Sequence, residues 1–351
     1  MGLPPKDPDN SNNAMTSAPP SFPMVGIGAS AGGLEALEAL FKATPEDTGC
    51  AFIVVVHLDP THVSLLPELL QKHTKLPVEQ IKDSTPVLSN HIYVIPPNKT
   101  LTILHGTLHL LDLVQPRSAN LPIDSFLRSL AADQRRNAVC IILSGTGTDG
   151  TLGLKAIKGE VGMVMVQDQA SAKYDGMPRS AVATGLADHV LPPAEMPAQL
   201  IKYTAHATQK KAPRIEAQEG ALPAALQKIF IILRARTEHD FSLYKKNTIC
   251  RRIERRMSVH QIDDINDYVR YLQQSGGEAN ILFKELLIGV TNFFRDPEAF
   301  DALRTEILPG LLAEKPDDYA IRAWVPGCAS GEEAYSLSMV LHEVMEQMGR
   351  H

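Results

Sequence analysis

Met24-Val25-Gly26-Ile27-Gly28-Ala29-Ser30-Ala31-Gly32-Gly33-Leu34-Glu35-Ala36-Leu37 passes from a short apolar run, through a cluster of small residues, into a helix-period stretch that reaches Ala43. That order reads as strand, tight turn and helix. The turn fits two motifs. As G-x-G-x-x-A it is a dinucleotide turn of a nucleotide-binding oxidoreductase, with Asp59 beyond the next strand as the ribose-binding carboxylate. As G-x-S-x-G, Gly28 to Gly32, it is a nucleophile elbow that lifts the Ser30 hydroxyl clear of a sheet. A plain strand-to-helix turn with a serine N-cap is the third reading.

Outward from the turn the rhythm continues. Apolar runs at Ala51–His57, His91–Ile95, Ala138–Leu143 and Met163–Gln167 alternate with helical stretches at 64–72, 122–133 and 151–158, and Leu101–Leu104 with Thr107–Leu110 reads as a hairpin. This is an α/β pattern whose strands are expected to be mostly parallel and buried. In such sheets the chemistry gathers at the carboxyl ends of strands. His57 ends the second run, and Asp149 follows the fourth in Ser144-Gly145-Thr146-Gly147-Thr148-Asp149-Gly150. A serine hydroxyl needs a base, and a histidine base needs a carboxylate to fix its tautomer, so Ser30, His57 and Asp149 together supply three roles that a dinucleotide site does not require.

The 351 residues carry 44% hydrophobic and 21% charged side chains and a formal net charge of −6, which argues for a soluble globular chain and against a general nucleic-acid binder. Cys50, Cys140, Cys250 and Cys328 form no C-x-x-C pair, so free thiols in a reducing, cytoplasmic setting are expected, with no metal site. No apolar run is long enough to span a membrane, and the proline-bearing first 21 residues do not read as a signal peptide.

GIGASAGG, VVHLDP, SGTGTDG and the run Ala170-Ser171-Ala172-Lys173-Tyr174-Asp175-Gly176-Met177-Pro178-Arg179 together resemble the catalytic domain of the CheB-type chemotaxis protein-glutamate methylesterases. The resemblance implies a doubly wound sheet and a catalytic triad of Ser30, His57 and Asp149. It also implies an oxyanion bound by the backbone N–H groups of Ala31 and Thr146, and hydrolysis of glutamyl methyl esters on chemoreceptors without a cofactor, with glutamine deamidation as a companion. Thr146 stands where that family usually has methionine; a main-chain donor tolerates the change. In place of the receiver domain that many members carry there is a short tail, so control by phosphorylation in cis is not expected.

A second cluster lies downstream. Strand signals vanish beyond Pro223, and Ile249, Ile253 and Met257 recur at helical spacing while Arg251, Arg252, Arg255 and Arg256 are expected to point outward. Val290 to Asp296 and Trp324 to Ser336 resemble the CheR-type chemoreceptor methyltransferases. That resemblance implies that the four arginines grip the cytoplasmic helices of methylated receptors, that Arg295 lies near the reacting centre, and that Gly327 to Glu332 contacts S-adenosylmethionine.

The organisation expected is a disordered tail over 1–21, a methylesterase domain over 22–204, a linker over 205–222, an all-helical receptor-binding module over 223–295, and the start of an α/β methyltransferase domain over 296–351. That last part includes one strand, Tyr319 to Pro326. It is expected to be truncated and inactive, with Leu337, Val340, Leu341 and Val344 exposed or resting on the helical module. A non-catalytic receptor-binding adaptor is the alternative function.

Overall fold

The computed structural model describes residues 22–57, 65–112, 121–208, 222–289, 291, 293–313, 315–316 and 319–350. The expected tail, Asp59, and most of the expected linker lie outside them. Contacts divide the chain after Leu286 into two compact units.

The first unit opens with strand β1 (Met24–Ala29), helix α1 (Gly33–Lys42) and strand β2 (Ala51–Val56). Every residue of β1 is buried, as a strand covered on both faces requires. Helix α1 buries Gly33, Ala36, Leu37, Leu40 and Phe41 at helical spacing, with Glu35 in its first turn and Lys42 in its last, where each charge suits the helix dipole. There follow α2 (Leu66–Gln71), β3 (Val78–Gln80), β4 (Thr85–Pro86), β5 (Ile92–Val94), β6 (Lys99–Leu104), β7 (Thr107–Asp112), α3 (Pro122–Gln134), β8 (Ala138–Ile142), α4 (Thr151–Gly159), β9 (Met163–Gln167), α5 (Gly176–Ala183), β10 (His189–Leu191) and α6 (Met196–Thr208).

Seven strands form one sheet in the order β10-β9-β8-β1-β2-β5-β3, with every pairing parallel. From β1 the chain moves to β2 on one side and returns through β8 on the other. This creates a switch point whose crevice lies at the carboxyl ends of the strands. The expected hairpin is β6 with β7, and β4 joins it to make a separate antiparallel sheet. Glycine in β1 lets α3 lie close on the sheet: a methyl group on Gly28 would stand 2.5 Å from Ile123 Cγ2.

Helices α7 (Leu222–Thr237), α8 (Lys246–Val259), α9 (Ile265–Gln274) and α10 (Gly276–Leu286) complete this unit. Their shared core includes Ile229, Leu233, Ile249, Ile253, Met257, Tyr268, Leu272 and Leu282, so the predicted apolar face of α8 packs as expected. Two boundaries differ from expectation. Helix α6 continues to Thr208, past the expected linker start, and the helical module ends at Leu286 in the same compact unit as the sheet.

The second unit contains α11 (Pro297–Ala302), a π-helical turn (Leu303–Ile307), α12 (Leu308–Ala313) and α13 (Glu332–Gln347). Tyr319 to Pro326 is not a strand. A ladder needs a neighbour, and among the described residues of this unit there is no strand for it to pair with. The apolar stripe of α13 is also not left exposed. Val340 and Val344 are buried against Phe300, Leu308 and Leu312, with Leu341 packed beside them, because α11 and α12 offer an apolar surface within the unit itself.

Candidate active site

The elbow follows β1 directly. Gly32 adopts φ +70°, a conformation that a side chain disfavours, and this lets the backbone turn sharply from strand to helix behind Ser30. The Ser30 N–H donates to Ser144 O at 2.9 Å, joining the elbow to the loop after β8. His57 follows β2, and Asp149 lies between β8 and α4. The three residues expected to cluster therefore do so at one sheet edge. Ser30 Oγ is 3.1 Å from His57 Nδ1, and His57 Nε2 is 2.9 Å from Asp149 Oδ2.

Burial is graded along this relay: Ser30 is half-buried, the His57 side chain is 37% exposed, and Asp149 is 3% exposed. A base facing the serine through Nδ1 carries its proton on Nε2 and donates it to Asp149. The carboxylate is held from its other side by backbone donors. Oδ2 accepts from Ile123 N at 3.1 Å, while Oδ1 accepts from Asp124 N and Gly150 N, both at 2.9 Å. Two of these N–H groups belong to the first turn of α3, where unpaired donors and the helix dipole favour an anion. Sequence reasoning missed this support. The only local sign was Pro122 at the helix start, which says nothing of where the helix end lies in space.

A second missed group is Asp124. It is 1% exposed, its Oδ1 accepts from Gly153 N at 2.6 Å, and burial, aided by the nearby Asp149 charge, pushes its carboxyl above the usual carboxylate range. It ties α4 to α3 behind the relay. Ala31 and Thr146, the expected oxyanion donors, are both exposed, and neither N–H donates to an acceptor among the described residues. Thr146 borders an open cleft of about 360 Å³, also lined by Gly147, Gln169, Lys173, Tyr174 and Gly176. Among the described residues no cluster of His, Cys, Asp or Glu could hold a metal ion, and no helix is long and apolar enough to cross a membrane.

The arginines of α8 require a correction. Arg251 is exposed, but Arg252, Arg255 and Arg256 are 5%, 3% and 1% exposed and face inward. Arg252 donates to Lys158 O and, at 2.9 Å, to Gly159 O; Arg255 donates to Gly162 O at 2.9 Å, to Glu285 Oε1 at 2.7 Å and to Asp188. Arg256 pairs with Glu278, Asp188 and Glu285. These arginines hold α8 between α10 and the domain of the seven-stranded sheet. Outward orientation fails because the compensating acids come from Asp188, Glu278 and Glu285, remote in sequence and gathered only by the fold. Arg295 is exposed in the turn before α11, while Gly327 and Glu332 lie in the turn and first helical residue that open α13.

A doubly wound α/β domain with a Ser-His-Asp relay at its switch point, followed by an all-helical module, is the class these observations define. The chain belongs to the CheB methylesterase family, whose model matches residues 25–200. Residues 224–287 match the CheR methyltransferase all-alpha domain, and 289–351 match the CheR methyltransferase SAM binding domain. An uncharacterized 104.1 kDa protein of Rhodobacter capsulatus is 36% identical over 305 residues, covering 81% of this chain and 32% of that protein. Protein-glutamate methylesterase/protein-glutamine glutaminase 3 of Burkholderia orbicola is 34% identical over 179 residues, 51% of this chain and 53% of its own. The chain thus spans from about a third to about half the length of these relatives. The crystal structure of the Thermotoga maritima CheB methylesterase catalytic domain aligns with 52% of this chain and 98% of its own, at 29% identity and a TM-score of 0.48.

Proposed function

We propose that this chain hydrolyses γ-glutamyl methyl esters on chemoreceptors, with glutamine deamidation as a companion reaction, and that Ser30, His57 and Asp149 carry the chemistry. The observation that carries the reading is the continuous relay from Ser30 Oγ through the imidazole to a buried carboxylate. His57 Nδ1 takes the hydroxyl proton as Ser30 Oγ attacks the ester carbonyl, and Asp149 stabilises the imidazolium that results. The negative charge that develops on the carbonyl oxygen is met by the N–H groups of Ala31 and Thr146. Collapse expels methanol, which leaves with the proton from Nδ1, and the glutamyl group remains as an ester of Ser30. Water, deprotonated by the same nitrogen, then releases the glutamate and restores the hydroxyl.

The cleft beside Thr146 is open and of mixed polar and apolar lining, suited to an ester side chain presented on the surface of a receptor helix. With three arginines buried, the basic surface of α8 that remains for docking an acidic receptor is Lys245, Lys246 and Arg251, all exposed. In the second unit, Gly327 at φ +74° has open space where a Cβ would stand, and Glu332 Oε2 is buried without a hydrogen-bond partner among the described residues. Both features fit a polar ligand at the turn, so Gly327 to Glu332 would hold part of S-adenosylmethionine, which supplies an activated methyl group.

The test is covalent labelling with a fluorophosphonate at neutral pH, read by peptide mass spectrometry. The expected adduct is on Ser30 and is lost in His57→Ala; an unlabelled wild-type chain would favour the non-catalytic adaptor.

A further inference from the structure

The run Ala170 to Arg179, which passes from the loop after β9 into the first turn of α5, has no part in the chemistry above, yet it lies against the elbow: a methyl group on Gly32 would stand 2.8 Å from Lys173 Cβ and 3.0 Å from Tyr174 Cδ2. Its hydrogen bonds to the loop after β8 are made by its backbone. Gly145 N donates to Tyr174 O at 3.0 Å, Met177 N donates to Gly145 O at 2.9 Å, and Tyr174 N donates to Ser144 Oγ at 3.0 Å. The Ser144 hydroxyl in turn lies 2.9 Å from Ala31 O and 3.2 Å from Tyr174 O. Ser144 is fully buried, and its own N–H is held by Gln167 Oε1 at 2.8 Å. One hydroxyl thus links the elbow, the loop after β8 and the run.

A trans peptide is planar, so its N–H points opposite to its C=O. Fixing the carbonyl end therefore aims the amide end. The N–H of Ala31 shares a peptide with Ser30 O, which accepts from Gly33 N at 2.9 Å, a contact three residues away in sequence. The N–H of Thr146 shares a peptide with Gly145 O, which accepts from Met177 N, 32 positions along the chain. One donor is aimed by its own turn, the other only by the distant run. Gly176 lets the run approach this closely: a methyl group there would stand 3.0 Å from Gly147 N, 3.2 Å from Gly145 O and 3.3 Å from Thr146 Cα. All three are backbone atoms, so no side-chain movement relieves the contact.

We propose that the Tyr174–Met177 segment braces the Thr146 half of the oxyanion site, with Gly176 and Ser144 as positioning residues that act through the Gly145–Thr146 peptide and touch none of the reacting atoms. The proposal rests on the esterase reading of Ser30, His57 and Asp149 given above.

The experiment measures hydrolysis of p-nitrophenyl acetate by the full chain and by Gly176→Ala, Ser144→Ala and Ser30→Ala. Competent sites are counted by fluorophosphonate titration, and affinity is measured for a boronic acid that forms a tetrahedral adduct. Loss of one oxyanion donor costs on the order of 10²–10³ in kcat. Partial misaiming is expected to lower kcat per titrated site at least about tenfold in Gly176→Ala and Ser144→Ala, with KM within about threefold. Boronic acid affinity should fall in parallel. A merely structural role would lower the number of competent sites and leave kcat per site at the wild-type value; that result overturns the brace. If Gly176→Ala does not fold, Ser144→Ala, which only removes a hydroxyl, decides by the same criterion. Retained activity in Ser30→Ala would instead defeat the esterase reading itself.

Discussion

Replacing Asp188 by Asn removes one negative charge from the junction between the esterase domain and α8 while keeping the shape of the side chain. Its carboxylate is fully buried. Oδ1 accepts from Lys158 Nζ at 2.7 Å and Arg256 Nη1 at 2.9 Å, and Oδ2 accepts from Val164 N at 2.8 Å and from Arg255. Without it, Lys158 and Arg255 share Glu285 alone, and Arg256 keeps Glu278 and Glu285. Removing one partner from a buried ion pair costs about 3–5 kcal/mol, chiefly because the remaining charges are left uncompensated. Set against a typical domain stability of about 5–15 kcal/mol, that is a large fraction. With a urea slope on the order of 3 kcal/mol/M, the unfolding midpoint should fall by about 1 M or more. The loss should persist at high salt, since buried pairs are weakly screened. Urea unfolding of Asp188→Asn, Arg255→Met and the double variant measures both the loss and the coupling. A change within about 0.5 kcal/mol, as for a surface substitution, or additive effects of the two substitutions, would refute the argument that these charges meet in a buried junction.

The same junction should be acid-sensitive. Burial would raise the Glu278 carboxyl, but hydrogen bonds from His260 and Arg256 outweigh it and hold the pKa at about 2, below its ordinary 4.5. A depressed carboxylate stabilises the fold above pH 4.5, and its contribution, on the order of 3 kcal/mol, is lost as pH falls from 4.5 toward 2. Unfolding midpoints measured across that window should drop steeply, with a shallower slope in Glu278→Gln. Asp149→Asn should lower kcat for a small ester by at least about 10²-fold, because an amide no longer stabilises the imidazolium; steady-state kinetics with an unchanged melting temperature would attribute the loss to the relay. Burial pushes the Cys50 thiol up to about 11, against the hydrogen bonds from Thr48 and Thr204, and raises the fully buried Cys140 thiol as well. Neither should react with a thiol reagent at neutral pH in the folded chain, and both should react in urea.

Much of the esterase domain was legible because its signals are local. Ser30 and His57 directly follow runs of apolar residues and Asp149 lies in the glycine-rich turn after another, and parallel strands bring such ends to one edge whatever the intervening length. The short strands β3, β4 and β10 and helix α5 were not read, since a few residues of mixed character have no period to detect. The support of Asp149 by α3 was illegible for another reason: it depends on Gly28 admitting Ile123 against the sheet, a contact between residues 95 positions apart. The arginines of α8 show the limit most clearly. Spacing identified the apolar face, but whether the opposite face meets water or carboxylates is decided by Asp188, Glu278 and Glu285, whose convergence is tertiary. In the second unit, α13 has an apolar stripe that calls for a partner, and periodicity does not say that α11 and α12 supply it.

Whether Ser30 is an activated nucleophile acting on glutamyl methyl esters is decided by methanol release. Receptor-bearing membranes carrying radiolabelled methyl esters are incubated with the chain and with its Ser30→Ala form, and volatile label is counted over time. Time-dependent methanol release is expected from the wild type and release at the membrane-only background from Ser30→Ala; equal release by both, or none by either, would contradict the assignment of Ser30.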